Sequence, residues 1–330
     1  MALKASTTAK PAQSAPYTPP NKGILSKLPA SWVPYAELIR LEQPHGIYMI
    51  FFPHVVGLMY ACSARPSAVP ASMLGQRLFI FSLWTFFMRG AGCAWNDITD
   101  QEFDRKTERC RNRPVARGAI STTQGHIYFL VLTGLGFLTL QTLPIECTLC
   151  GLMTAILTII YPFGKRFTNF AQVILGSTLA STIALSAYSV ELPALSPGYI
   201  IPTLCLTATI LLLVVFYDTI YARQDTADDL KSGVKGMAVL FRNHIETLLA
   251  VLAMSIAGLL ATTGTLLNMG PYFFAFSVVG LATGLLTMIA LIRWHLFPSF
   301  AKYSGWFYAL AIVNLLGGCV AEYLQKAPTL

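Results

Sequence analysis

The chain has 330 residues, 55% of them hydrophobic and only 12% charged, with a mean hydropathy of +0.58. Soluble proteins carry about a quarter charged residues, so this chain has roughly half the usual charge. An apolar surplus of that size cannot be hidden in one or two globular cores, because small domains expose much of their surface. Those figures exclude a cytosolic enzyme, a nucleic-acid-binding domain, a disordered chain and a secreted disulfide scaffold. They point to lipid as the solvent. The net charge of +8, from 23 Lys and Arg against 15 Asp and Glu, then reflects loop asymmetry rather than a nucleic-acid partner.

Residues 1–30 are polar and rich in Pro, Ser, Ala and Thr, which predicts a disordered tail ahead of a single intramembrane domain over residues 31–330. The tail lacks the apolar stretch of a signal peptide. Its four lysines without any arginine make it a poor mitochondrial presequence, which favours an ER-type endomembrane over the mitochondrial inner membrane. Nine uncharged apolar stretches follow, each near the ~20 residues that a helix needs to cross the hydrocarbon. They are Gly46–Ser63, Leu74–Trp95, Thr123–Leu140, Cys147–Phe163, Ala171–Val190, Tyr199–Tyr221, Glu246–Thr263, Tyr272–Ile292 and Gly305–Tyr323. The first is interrupted by Pro53 and His54. A barrel would show period-2 alternation, which is absent, so the expected fold is all-α and multi-pass. Seven cysteines, an odd number, argue against a disulfide framework, and Cys147-x-x-Cys150 reads as inert packing. The five histidines are not at ligand spacing, and Gly280-x-x-x-Gly284 reads as packing within the chain.

Lysine and arginine test this threading. One set of loops holds Lys4, Lys10, Lys22, Lys27 and Arg40, then Arg105, Lys106, Arg109, Arg111, Arg113 and Arg117, then Lys165 and Arg166, then Arg223, Lys231, Lys235 and Arg242, and lastly Arg293 and Lys302. The opposite side has only Arg65, Arg77 and Lys326, with Arg89 inside the second span. Nine spans put the first set on one side, predicted to be cytoplasmic, or the matrix side in a mitochondrion. An even number would mix the charges.

Two carboxylate clusters lie on that basic side. The first follows the second span and reads Asn96-Asp97-Ile98-Thr99-Asp100-Gln101-Glu102-Phe103-Asp104. On a continuous helix Asn96, Asp100 and Asp104 fall within an arc of about 80°. The second, after the sixth span, runs from Tyr217-Asp218 to Asp225-Thr226-Ala227-Asp228-Asp229, with Asp218, Asp225 and Asp229 within roughly 40° on a continuous helix. Stacked acids repel one another unless a cation neutralises them. Oxygen ligands without His or Cys suit a hard ion, Mg²⁺ before Ca²⁺ or Mn²⁺, and Mg²⁺ completes its shell with water and phosphate oxygens. Acids for metal, bases for phosphate and an apolar bundle above them describe a site for a lipid diphosphate.

The stretch Arg89-Gly90-Ala91-Gly92-Cys93-Ala94-Trp95, followed by N-D-x-x-D-x-x-x-D and Arg113-Pro114, resembles the first signature of the UbiA-type intramembrane aromatic prenyltransferases. Tyr217-Asp218-Thr219-Ile220-Tyr221-Ala222 through Asp225-x-x-x-Asp229 and Gly233-Val234-Lys235 resembles the second, and Tyr161-Pro162-Phe163-Gly164-Lys165-Arg166 is similar to the loop after the fourth helix. The resemblance covers residues 35–325 and is strongest to the 4-hydroxybenzoate polyprenyltransferase-like branch that includes fungal meroterpenoid enzymes. It implies nine helices around a central cavity, with Mg²⁺ bridging both Asp motifs and an allylic diphosphate. It assigns Asn96, Asp97, Asp100 and Asp104 to the first metal–diphosphate site, and Asp225 and Asp229 to the second. Asp218 would be a ligand or orient the aromatic substrate, while Arg113, Lys165, Arg166 and Lys231 would contact the diphosphate or an acceptor carboxylate. Direct metal ligands on this view are Asn96, Asp100, Asp104, Asp225 and Asp229. Trp95 stands where relatives usually have a smaller residue and would narrow the pocket. The implied reaction is farnesyl transfer to a phenolic ring carbon of an aromatic polyketide, with no obligate protein partner. A ubiquinone-pathway 4-hydroxybenzoate polyprenyltransferase is the alternative within the family. A cation transporter would place its acids at mid-span, and a lipid-binding scaffold leaves the paired acidic motifs unexplained.

Overall fold

The computed structural model describes residues 17–43, 45–108, 110–226, 229–230, 233–294, 296 and 300–326. Among the described residues there are helices and turns and no strands. Hydrocarbon offers no hydrogen-bond partner to the backbone, and a helix satisfies its own. Nine helices of the described residues are long and apolar enough to cross a membrane. They are α1 (His45–Ala64), α2 (Ala71–Thr99), α3 (Thr122–Leu140), α4 (Ile145–Phe167), α5 (Ala171–Ser189), α6 (Ile200–Ala222), α7 (Ile245–Leu266), α8 (Pro271–Arg293) and α9 (Phe300–Lys326). Number and order match the nine apolar stretches. The main differences are at α9, which starts before Gly305, and at α2 and α4, whose last turns extend to Thr99 and Phe167.

Each helix packs on its neighbour in sequence, and α9 returns to α1, so the bundle closes. α1 also lies along the second half of α5. Pro53 does not break α1. A proline has no N–H, so the Met49 carbonyl four residues earlier loses its helical donor. The Tyr308 hydroxyl of α9 donates to that carbonyl at 3.2 Å. His54, fully buried, stacks on Phe81 of α2 with ring centroids 4.8 Å apart. α5 is two helical segments, Ala171–Ala180 and Thr182–Ser189, joined at Ser181. All seven cysteines are free, and Cys147 donates to the Leu185 carbonyl at 3.4 Å.

Residues 17–30, which composition places in the polar tail, are held against the body. The Tyr17 hydroxyl donates to Glu37 Oε1 at 2.7 Å, and the Arg117 guanidinium lies 3.7 Å from the Tyr17 ring centroid. The four cations that break the charge segregation share one role. Arg65 donates to the Val190 carbonyl, Arg77 Nε to the Ser189 carbonyl at 2.8 Å, and Lys326 to the Ser63 carbonyl. These carbonyls lie at the C-terminal ends of α1 and α5, where the helix dipole attracts cations. Arg89 serves carbonyls at the other end of the bundle, described below.

Helix–helix contact in lipid depends on close packing rather than on the hydrophobic effect. A Cβ on Gly176 of α5 would sit 2.7 Å from the Leu211 carbonyl oxygen of α6, and one on Gly280 of α8 would sit 2.6 Å from Asn314 Oδ1 of α9. Both glycines pack within the chain. Gly176→Ala is expected to destabilise the bundle by about 1–3 kcal/mol, seen as a lower thermal midpoint in detergent. Gly284→Ala, where the nearest heavy atom is 4.0 Å away, should leave the midpoint unchanged.

Candidate active site

α2 carries Asn96 and Asp97 on its last turn and caps at Asp100 (φ −98°, ψ 7°). A short helix, Gln101–Lys106, continues from it. The i→i−4 ladder survives the junction, with Asp100 N–H to the Asn96 carbonyl at 2.9 Å and Asp104 N–H to the Asp100 carbonyl at 2.8 Å. The acids that meet are Asp97 and Asp104, two turns apart, rather than the Asn96–Asp100–Asp104 row expected from the spacing. Arg113 Nη1 lies 2.8 Å from Asp104 Oδ2 and 3.4 Å from Asp97 Oδ1. Asn96 is half-buried, one position to the side of this chain of ion pairs.

Arg113 reaches back because its loop is pegged down. Val115 and Ile120 are 2% and 1% exposed and join Leu38, Ala94 and Ile98 in a small core between residues 33–38 and α2. Arg105 Nε donates to the Ala116 carbonyl at 3.2 Å, and Arg117 pairs with Glu37 at 2.5 Å. Burial alone would pull the Arg113 guanidinium down from its ordinary pKa, but the Asp97 and Asp104 carboxylates outweigh it and the value is raised. The side chain therefore stays charged.

A second arginine, absent from the expected site, completes the group. Arg40 Nη2 donates to Asp97 Oδ1 at 2.8 Å. Its backbone is left-handed (φ 55°), and Arg89 spans that turn, donating to the carbonyls of Ile39 (2.7 Å), Arg40 (3.3 Å) and Gln43 (2.8 Å). Arg89 carried a signal, because a cation inside an apolar span is costly and needs partners. Arg40 carried none, since it stands among loop charges that topology alone explains.

On the far side of Asp100, α4 delivers Arg166. Its Nη2 donates to the Thr99 carbonyl at 2.8 Å and to Asp100 Oδ1 at 3.2 Å. The guanidinium lies between the rings of Phe103 and Phe163, 5.2 and 5.3 Å from their centroids. Lys165 is its neighbour in the last turn of α4. Trp95 Nε1 donates to the Ile159 carbonyl of α4 at 3.0 Å, and the indole packs against Phe129, His126 and Phe163.

The second acidic stretch departs from the continuous helix assumed for it. α6 ends at Ala222 and a 3₁₀ turn covers Arg223–Asp225. That turn advances about 120° per residue rather than 100°, which shifts Asp225 around the helix relative to Asp218. Asp218, Asp225 and Asp229 are half-buried. Asp228 and Lys231 lie outside the described residues. Downstream, the Met237 N–H donates to Gln172 Oε1 of the first turn of α5 at 3.3 Å. α5 starts just after Arg166, so both acidic stretches belong to the same end of the bundle. Among the described residues no three His, Cys, Asp or Glu side chains converge as a ready metal cage.

Comparison with known proteins decides the family. The model of the UbiA prenyltransferase family matches residues 50–296. The chain belongs to that family. It is 68% identical to prenyltransferase ascA of Acremonium egyptiacum, over 95% of this chain and 92% of that protein. It is 58% identical to prenyltransferase stbC of Stachybotrys bisbyi over 96% of both chains, and 42% identical to the DMOA farnesyltransferase nvfB of Aspergillus novofumigatus over 76% of both. Its fold is similar to that of a UbiA homolog from Aeropyrum pernix K1, with a TM-score of 0.67 and 20% identity, covering 84% of this chain and 97% of that one. It is also similar to a UbiA homolog from Archaeoglobus fulgidus bound to GPP and Mg²⁺ (TM-score 0.62, 18% identity, 87% of this chain and 99% of that one). This UbiA protein is an integral multi-pass membrane enzyme, an aromatic prenyltransferase.

Removing Arg113 takes from the buried Asp104 the cation 2.8 Å away and leaves Asp97 with Arg40 alone. Arg113→Gln is expected to cost about 3–5 kcal/mol in denaturant unfolding of the detergent-solubilised protein. Arg113→Gln with Asp104→Asn, which removes the orphaned charge, should recover part of that loss.

Proposed function

We propose that this enzyme transfers a farnesyl group from farnesyl diphosphate to a ring carbon of a phenolic aromatic polyketide, with Mg²⁺ as cofactor. The observation that carries this reading is the delivery of two arginines to one acidic motif from separate elements, Arg113 from a loop and Arg166 from the end of α4. A motif of acids flanked by fixed guanidiniums suits a polyanion that arrives with a divalent metal. The farnesyltransferase named among the relatives supports the donor, and the homolog bound to GPP and Mg²⁺ supports the metal.

The donor set fits Mg²⁺. It is oxygen-only, and the absence of a protein-only cage among the described residues agrees with an ion that takes one or two carboxylates and fills its shell with water and phosphate oxygens. Asn96, Asp100 and Asp104 would hold it at the first motif, and Asp225 and Asp229 at the second. When bound, Mg²⁺ supplies positive charge that makes diphosphate a competent leaving group. Arg113, Arg166, Lys165 and Lys231 bind diphosphate oxygens or the acceptor's carboxylate. Asp218 orients the aromatic ring. The apolar helices receive the isoprenoid tail and exclude water from the allylic cation left by diphosphate departure. The electron-rich ring then attacks through carbon, and loss of the ring proton restores aromaticity. The polar tail without arginine supports an ER-type membrane, with the acidic motifs facing the cytoplasm.

Membranes given farnesyl diphosphate and an orsellinic-acid-type phenol should release diphosphate and yield a C-farnesylated product by mass spectrometry. EDTA should abolish this. Asp100→Asn and Asp225→Asn should each lower kcat by about two orders of magnitude or more. Full activity in EDTA or in both variants would overturn the site. Exclusive use of longer donors on 4-hydroxybenzoate would move the enzyme to the quinone pathway.

A further inference from the structure

Asp97 is the least accessible acid of the first motif, with 0% exposure, and the arginines on it are more open, 22% for the Arg113 side chain and 19% for Arg40. The carboxylate stands behind and the guanidiniums stand in front. Asp100, by contrast, has 22% of its side chain exposed and pairs only at its edge with Arg166, 3.2 Å away. We propose that Asp97 is the counter-anion that positions Arg40 and Arg113 for the anionic substrate, rather than a ligand of the metal, and that Arg40 is an additional diphosphate-binding residue. This rests on the placement of diphosphate beside residues 96–113 proposed above.

Three features of this chain carry the inference. Oδ1 of Asp97 is shared by two guanidiniums, at 2.8 and 3.4 Å, so a metal there would have to displace both in a sealed environment, whereas Asp104 meets one guanidinium, through Oδ2. Arg40 is held in a left-handed backbone conformation (φ 55°), which is strained for a non-glycine residue and persists only where the surroundings impose it. The surroundings here are two independent devices. Arg89 clamps the carbonyls on either side of the turn, and Asp97 takes the side chain. A strained turn braced twice to aim one guanidinium is a costly arrangement for a topology charge. Arg40 offers five N–H donors, and its bond to Asp97 uses one Nη, so the group has donors to present to phosphate oxygens.

The competing role for Asp97 is metal binding through Oδ2, which is buried and has no hydrogen-bond partner among the described residues. The two roles separate experimentally. Full-length protein in detergent would be tested as Asp97→Asn, Arg40→Gln, Arg40→Lys and Asp100→Asn. Mn²⁺ binding in the presence of inorganic diphosphate would be followed by EPR, and farnesyl diphosphate kinetics measured at saturating Mg²⁺. Asp97→Asn and Arg40→Gln should each raise KM by about tenfold or more while kcat changes less, and Arg40→Lys should recover part of the loss. Asp97→Asn should leave Mn²⁺ affinity within about twofold, while Asp100→Asn weakens it about tenfold or more. A tenfold loss of Mn²⁺ affinity in Asp97→Asn, or an unchanged KM in Arg40→Gln, would overturn the proposal. Unchanged Mn²⁺ binding in Asp100→Asn would instead sink the metal site itself. Should Asp97→Asn fail to accumulate, the double variant Asp97→Asn/Arg40→Gln removes the pair together, and its Mn²⁺ affinity must then stay within about twofold of the unmodified protein, a tenfold loss overturning the proposal.

Discussion

The bond that organises this end of the molecule is the sharing of Arg113 between Asp97 and Asp104. Two carboxylates near the membrane boundary cannot stay ionised side by side without a cation between them, and the cost of an unpaired buried charge is several kcal/mol. Arg113 meets that need from a loop that would otherwise be free to swing. The loop is therefore folded by the same charges it neutralises. Val115 and Ile120 add the apolar part of the anchor, and the Glu37–Arg117 pair ties the loop to residues 33–38. The first acidic motif is thus a junction of three segments, the end of α2, the 107–120 loop and the turn at Arg40.

Arginine has a second use throughout the bundle, as a partner for main-chain carbonyls that helices leave unpaired. Arg77 and Arg65 serve the end of α5, Lys326 serves the end of α1, and Arg89 serves the turn before α1. In water these carbonyls would be solvated and the cations dispensable. Next to hydrocarbon both groups lack alternatives, so each pairing satisfies two groups at once. Tyr308 on the Met49 carbonyl is the neutral version of the same solution, set by Pro53. The exceptions to the charge segregation are therefore structural cations, and they leave the count of nine spans intact.

The spans were legible because lipid imposes one demand on every stretch of about 20 residues, and a local count of apolar side chains detects it. The signatures of the family were legible because they are contiguous. The true partners of the first motif were not. Asn96, Asp100 and Asp104 follow from the helical period alone, whereas the pairing of Asp97 with Asp104 through Arg113 depends on where a separate loop lies. Arg40 was invisible for a different reason. Its role depends on a left-handed turn and on Arg89 some fifty residues away, neither of which leaves a local pattern. At the second motif the 3₁₀ turn at Arg223–Asp225 shifts the register, which a regular helical count does not foresee.

Trp95 shows how a side chain's size can be read correctly and its direction missed. A large residue before the acidic motif suggested a narrower pocket. The indole instead donates to the Ile159 carbonyl of α4 and packs on Phe129 of α3 and Phe163 of α4, so its bulk joins three helices. Phe163 also forms one wall of the slot that holds the Arg166 guanidinium, and Arg166 holds Asp100. Volume at position 95 is therefore transmitted through aromatic contacts to Asp100, the most open aspartate of the first motif. A smaller residue there would loosen the approach of α4 to α2 before it widened any pocket, and its first consequence would be on the placement of Arg166.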